Sequence, residues 1–132
     1  MDFDIDRKKI NIFKIGKFYC FKHFFNDKEV FEGLSKYYNE TKYRFECGTV
    51  SGRNKIIKYL WKMGFDADLV ENLKEYTVKI DRTKRYGTIL KYSIEQAEIG
   101  NNKVFLMKDT ASVELALEHG AERYLDETKV LF

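Results

Sequence analysis

The apolar positions of this chain switch between the period of a strand and the period of a helix, and the switches predict its elements. Residues 10–25, INIFKIGKFYCFKHFF, are dense in β-branched and aromatic side chains and are broken once, at Gly16-Lys17. That pattern predicts a bent strand or a tight hairpin. Asn26 or Asp27 then caps a helix whose apolar face is Val30, Phe31, Leu34, Tyr37 and Tyr38, closed by residues 39–41. A short strand follows at 43–47, with Tyr43, Phe45 and Cys47 on one face and Arg44 and Glu46 on the other.

The stretch 43–64, YRFECGTVSGRNKIIKYLWKMG, joins that strand to a glycine-bracketed loop and a basic amphipathic helix starting near Ser51 or Gly52. Ile56, Ile57, Leu60 and Trp61 form its inward stripe, and Lys55, Lys58 and Lys62 lie three and four apart on another face. Gly64 stops it, because glycine takes positive φ without strain. Asp66 is expected to cap a third helix through about Tyr76, with Leu69, Val70 and Leu73 inward and Asp66, Asp68 and Glu71 near its positive end. Residues 77–80 and 88–99 read as strands around the loop 81–87, although 88–96 also suits a helix. Gly100-Asn101-Asn102 is a turn, and 103–108 is an apolar strand. Asp109 or Thr110 caps a helix over 111–119, Gly120 closes it, and 122–125 is a last short strand. Residues 103–126 have the strand–helix–strand look of a right-handed crossover.

These elements predict the α+β class, with one domain over 1–132 and a mixed, mostly antiparallel sheet with about four helices. The two helices expected around Gly64, followed by strand, basic loop and strand, give the middle of the chain a winged-helix-like outline.

Composition fits a folded unit. Eleven Phe and 9 Tyr in 132 residues supply a sizeable core, and there is no Pro where average usage gives about six or seven. Two Cys make no disulfide framework. The N-terminus is acidic and then basic, without the apolar segment of a signal peptide, and the apolar runs fall far short of the ~20 residues of a membrane span. A cytoplasmic protein without a membrane partner is expected. Abundant Lys and Glu also suit a hyperthermophile.

The net charge is +3, but residues 1–66 carry 14 Lys and Arg against 9 Asp and Glu, whereas 67–132 carry 10 against 12. The asymmetry predicts a basic face, although an ordinary Lys- and Glu-rich surface has the same counts. Residues 48–55, GTVSGRNK, invite comparison with a phosphate-binding loop. A nucleoside triphosphatase is excluded: the glycines stand one residue too close, Arg53 replaces the loop lysine and Asn54 the hydroxyl residue. Gly48, Ser51 and Gly52 remain phosphate-loop candidates, with Arg53 and Lys55 beside a helix start. A plain N-cap by Ser51 produces the same pattern.

The polyanion-binding candidates are Arg53, Lys55, Lys58 and Lys62 together with Arg82, Lys84 and Arg85 of the 81–87 loop, if the two groups share a face. Tyr43, Tyr59 and Tyr86 add stacking if exposed. The segment 66–75 is excluded as a recognition helix because Asp66, Asp68, Glu71 and Glu75 outnumber Lys74. Cys20, His23, Cys47 and His119 have no metal-ligand spacing, so no metal and no cofactor are expected. Cys47 is the one candidate nucleophilic thiol, and Asp81 and Glu95 flank a hairpin without a catalytic signature. Three functions follow in order: a binding module for nucleic acid or another polyanion, an enzyme acting on a phosphorylated small molecule at 48–55, and a homodimeric interaction module burying strand edges at 10–25 and 103–108.

Overall fold

The first hairpin forms where the apolar run is broken. In the computed structural model, which describes residues 7–124 and Phe132, β1 (Lys8–Ile15) and β2 (Phe18–Phe21) pair antiparallel across Gly16-Lys17. Gly16 has φ 59°, as the first residue of a two-residue type II′ turn requires. The Asp27 side chain caps α1 (Lys28–Leu34) by accepting from the Glu29 amide at 2.9 Å. A 3₁₀ turn leads to β3 (Tyr38–Asn39) and then β4 (Arg44–Cys47). Helix α2 (Val50–Lys62) begins earlier than expected: Thr49, not Ser51, is its cap, and its hydroxyl accepts from the Gly52 amide at 2.9 Å.

The segment after α2 corrects the expected third helix. Residues Phe65–Val70 are a strand, β5, running parallel to β1 with Ala67 opposite Ile10. Phe65 and Ala67 pack on the core beneath α2, a period of two that pairing with β1 selects over the helical reading. The acids that resembled a helix start are charges on an edge strand, where they discourage further pairing; Asp68 lies 3.8 Å from Lys9. No helix–turn–helix forms, and the winged-helix outline goes with it.

A second 3₁₀ turn precedes β6 (Thr77–Asp81). Residues 88–99 divide between the two readings, into α3 (Gly87–Lys91) and β7 (Ser93–Ile99). Then come β8 (Asn102–Met107), α4 (Thr110–Glu118) capped by Asp109, and β9 (Glu122–Arg123). Leu125, the end of the expected last strand, lies outside the described residues.

The class is α+β, with two mostly antiparallel sheets. One has the order β3-β4-β2-β1-β5 and the other β7-β8-β6-β9. The second sheet with α3 and α4 is a split βαβ arrangement, β–α–β–β–α–β with every neighbour antiparallel. Strand alternation sorts the apolar side chains into three slabs. Ile10, Ile12, Phe21 and Phe45 meet Val30, Leu34, Ile56 and Leu60 of α1 and α2. Phe13, Ile15 and Cys20 meet Ile94 and Leu106 between the sheets. Val78, Ile80, Phe105 and Met107 meet Ile89, Val113 and Ala116 of α3 and α4. The layers therefore run helix, sheet, sheet, helix. Trp61 departs from the expected core stripe: it is 54% exposed, with the Arg7 guanidinium 3.5 Å above its ring. Among the described residues, no helix is long and apolar enough to cross a membrane.

Candidate functional site

The alternation of β4 sends Phe45 and Cys47 toward the helices and Arg44 and Glu46 toward the other sheet. A charge pointing between two sheets must be partnered. Arg44, 3% exposed, donates from Nε to Glu46 Oε2 at 2.9 Å and from Nη1 to Glu95 Oε2 and the Ile94 carbonyl, both at 3.0 Å. Lys42 Nζ donates to the same Glu95 oxygen at 3.0 Å, and Asn39 Nδ2 to Glu46 Oε1 at 2.9 Å. Burial works to raise both carboxyls. Hydrogen bonds and the Arg44 and Lys42 charges outweigh it and hold Glu46 and Glu95 below the usual carboxylate range. Glu95 comes from β7, so the cluster ties the edge of one sheet to the edge of the other.

That edge opens into a cleft of about 560 Å³. Lys22, just past β2, and Lys42, in the β3–β4 turn, line it from the five-stranded sheet. Lys91, at the end of α3, lines it from the other side. Phe24 (51% exposed) and Tyr43 (66% exposed) stand at its rim. A smaller pocket of about 210 Å³ shares Lys22, Phe24, Tyr38 and Tyr43 and extends the groove to Phe31. Tyr43 has φ 54°, and no other described non-glycine residue has positive φ; the conformation costs about 1 kcal/mol. The turn that imposes it is built by Asn39, whose side chain accepts from the Thr41 and Lys42 amides at 2.9 and 3.1 Å. Strain that holds an aromatic ring out in solvent at a cleft mouth is a functional signal.

Lys22 is the unusual cation. Its Nζ donates to the Lys91 carbonyl at 3.1 Å. Burial, then the charges of Lys108 and Arg44, push its ammonium down to about 8. Burial and the charges of Lys108 and Lys8 also lower the neighbouring His23.

Of the residues singled out by sequence, Tyr43 and Glu95 line this cleft, whereas the candidate cations lie elsewhere. Lys55, Lys58 and Lys62 are exposed on α2, which covers the outer face of the five-stranded sheet. The Arg53 guanidinium sits 5.1 Å from the Tyr19 ring centre and donates to Asn54. Arg82, Lys84 and Arg85 are exposed in the loop after β6, in the other sheet. The two groups thus sit on different elements, one on α2 and one in the loop after β6. At 48–55, the Gly52 and Arg53 amides are already taken by the Thr49 hydroxyl and carbonyl, and the Ser51 amide is left among the expected phosphate donors. Gly48 faces the Phe18 ring. Cys20 and Cys47 lie on opposite faces of one sheet; burial pushes the Cys20 thiol up to about 12 and raises Cys47 also. Asp81 binds its own turn through Thr83 while Glu95 belongs to the inter-sheet cluster.

Sequence reasoning missed Lys22, Phe24, Lys42 and Lys91 as a group. Three separate segments meet here only through the docking of two sheets, and the sole local signal was aromatics beside lysine in YCFKHFF. Compared with known proteins, the sequence matches no family model and no curated protein, and the fold matches no solved structure.

Proposed function

We propose that this protein binds single-stranded nucleic acid in the cleft between its two sheet edges. The observation that supports the reading is the convergence of Lys22, Lys42 and Lys91 with the exposed rings of Phe24 and Tyr43 around two joined pockets. Cations along a groove track a phosphate backbone, and rings on its rim stack on bases whatever their sequence. Each stacked base contributes about 1–3 kcal/mol. A duplex hides its base faces, so ring stacking favours unpaired strands.

Fluorescence anisotropy with labelled single-stranded DNA, single-stranded RNA and a duplex tests this. Single strands should bind at ~50 mM salt, and three phosphate contacts should give a log–log salt slope of about −2. Tyr43→Ala should weaken binding about tenfold, the lower part of the stacking range. Equal or tighter binding of the duplex, or no binding at low salt, would overturn the reading.

A further inference from the structure

Lys22 sits where the two pockets join and lines both. Among the described residues it has no carboxylate within salt-bridge distance, while Lys42 is held by Glu95 and Lys108 by Asp109. Its ammonium donates to a neutral group, the Lys91 carbonyl. Two cations, Lys108 and Arg44, act on it unfavourably, and the rings of Phe24, Phe25, Phe31 and Tyr38 line the pocket beside it. A lysine with cationic neighbours in an apolar recess is the setting in which an ammonium gives up its proton and becomes a nucleophile.

We propose that Lys22 is an imine-forming amine, and that its ligand carries an aldehyde beside a phosphate. The lone pair of Nζ attacks the aldehyde carbon, and the carbonyl oxygen takes up a proton to give a carbinolamine. Loss of one water then leaves the C=N bond, and no oxidant or reductant is consumed. Lys42 and Lys91 are placed to hold the phosphate. Two sources offer this chemistry: a free phosphorylated sugar in its open form, and a nucleic-acid strand at a position that has lost its base. The inference takes the anion-binding character of the cleft from the proposed function but does not require a polymer.

Hydride trapping with cyanoborohydride reduces the imine to a stable secondary amine, and peptide mass spectrometry finds it. At about pH 8, glyceraldehyde 3-phosphate and an oligonucleotide with one abasic position form the two arms, with propionaldehyde as the phosphate-free control. Lys22 should be modified about tenfold or more faster than any surface lysine, because far more of it is unprotonated. Lys22→Arg should remove that adduct while circular dichroism reports an intact fold. Labelling at Lys22 should rise with pH and level off near the Lys22 titration, about 8. The charged and titratable groups facing it are Lys42, Lys91, Glu95, His23, Tyr38 and Tyr43 around the two pockets, and Lys108 and Arg44 beyond them. Labelling in either arm supports the amine. Labelling by the triose phosphate alone also supports it, and counts against nucleic acid as the ligand. Modification spread over surface lysines with no excess at Lys22 in both arms, or an adduct that persists in Lys22→Arg, overturns the proposal.

Discussion

The two sheets meet in two chemically different ways. At the centre, Phe13, Ile15 and Cys20 face Ile94 and Leu106, and Tyr76 closes on Phe13 edge to face at 5.1 Å. At the edge, Arg44 reaches from one sheet to the Glu95 carboxylate and the Ile94 carbonyl of the other. The apolar zone supplies attraction without direction, because burial scales with area and not with angle. The ionic zone supplies direction at little net gain, since desolvating buried charges offsets most of their attraction. The difference implies a division of roles. Phe13 and Leu106 hold the sheets together, and Arg44 sets how their edges align. The cleft is built on that alignment, because Lys42 and Glu95 belong to both the cluster and the cleft wall.

Substitutions at Arg44 should separate the two zones most sharply. Arg44→Ala leaves Glu46 and Glu95 buried without their cation and should lose about 3–5 kcal/mol in urea unfolding. Arg44→Met should lose less stability but misalign the cleft, so nucleic-acid affinity should fall further than stability. Leu106→Ala, in the fully buried apolar zone, should lose about 2–5 kcal/mol through cavity formation. Binding by its folded fraction should be unchanged, because Leu106 sets no angle at the edge. If Leu106→Ala alters binding more than Arg44→Met does, the division of roles is wrong.

Acid should dissolve the ionic zone first. Glu46 and Glu95 titrate below their unfolded values, so the unfolded chain binds protons before the folded one does. Their stabilisation is complete above the unfolded carboxylate value, about 4.3, and is lost as pH falls through the lower folded values. Urea unfolding from neutral pH downward should show this loss, and Arg44→Met should flatten it.

Lys22 predicts the opposite sign for a mutation. Its folded value of about 8 lies below the ordinary lysine value of 10.5. Its contribution to stability is therefore full above the unfolded value and falls as pH drops through about 8. Lys22→Met should stabilise the protein by about 1 kcal/mol at neutral pH, allowing for the solvent that reaches it. The gain should vanish in strongly alkaline solution. A variant that is more stable and binds less is the mark of a site kept for function. At the smallest end, Lys9→Ala removes a solvent-exposed pair with Asp68 and should change the melting midpoint by no more than about 0.5 kcal/mol allows.

Much of the fold was legible because its signals are local. Gly16 breaking an apolar run, Asp27 and Asp109 at helix starts, and the alternation through Phe45 and Cys47 each act within a few residues. β5 was not legible. Asp66 and Asp68 resemble the start of a helix, and only the partner strand β1, more than fifty residues away, makes them edge charges. The cleft was less legible still. The excess of Lys and Arg in the first half drew attention to α2, where the charges are closest in sequence. Lys22 and Lys91 are 69 residues apart in sequence, with Lys42 between them, and sheet docking brings the three together.

The location of binding is open to direct measurement. Amide resonances of the protein, followed by heteronuclear NMR during titration with a short single-stranded oligonucleotide, give a residue-by-residue map. The largest shifts are expected at Lys22, Phe24, residues 38–43 and residues 90–96. Shifts concentrated instead at Arg53, Lys55 and Lys58 of α2, or at Arg82, Lys84 and Arg85, would contradict binding in the cleft.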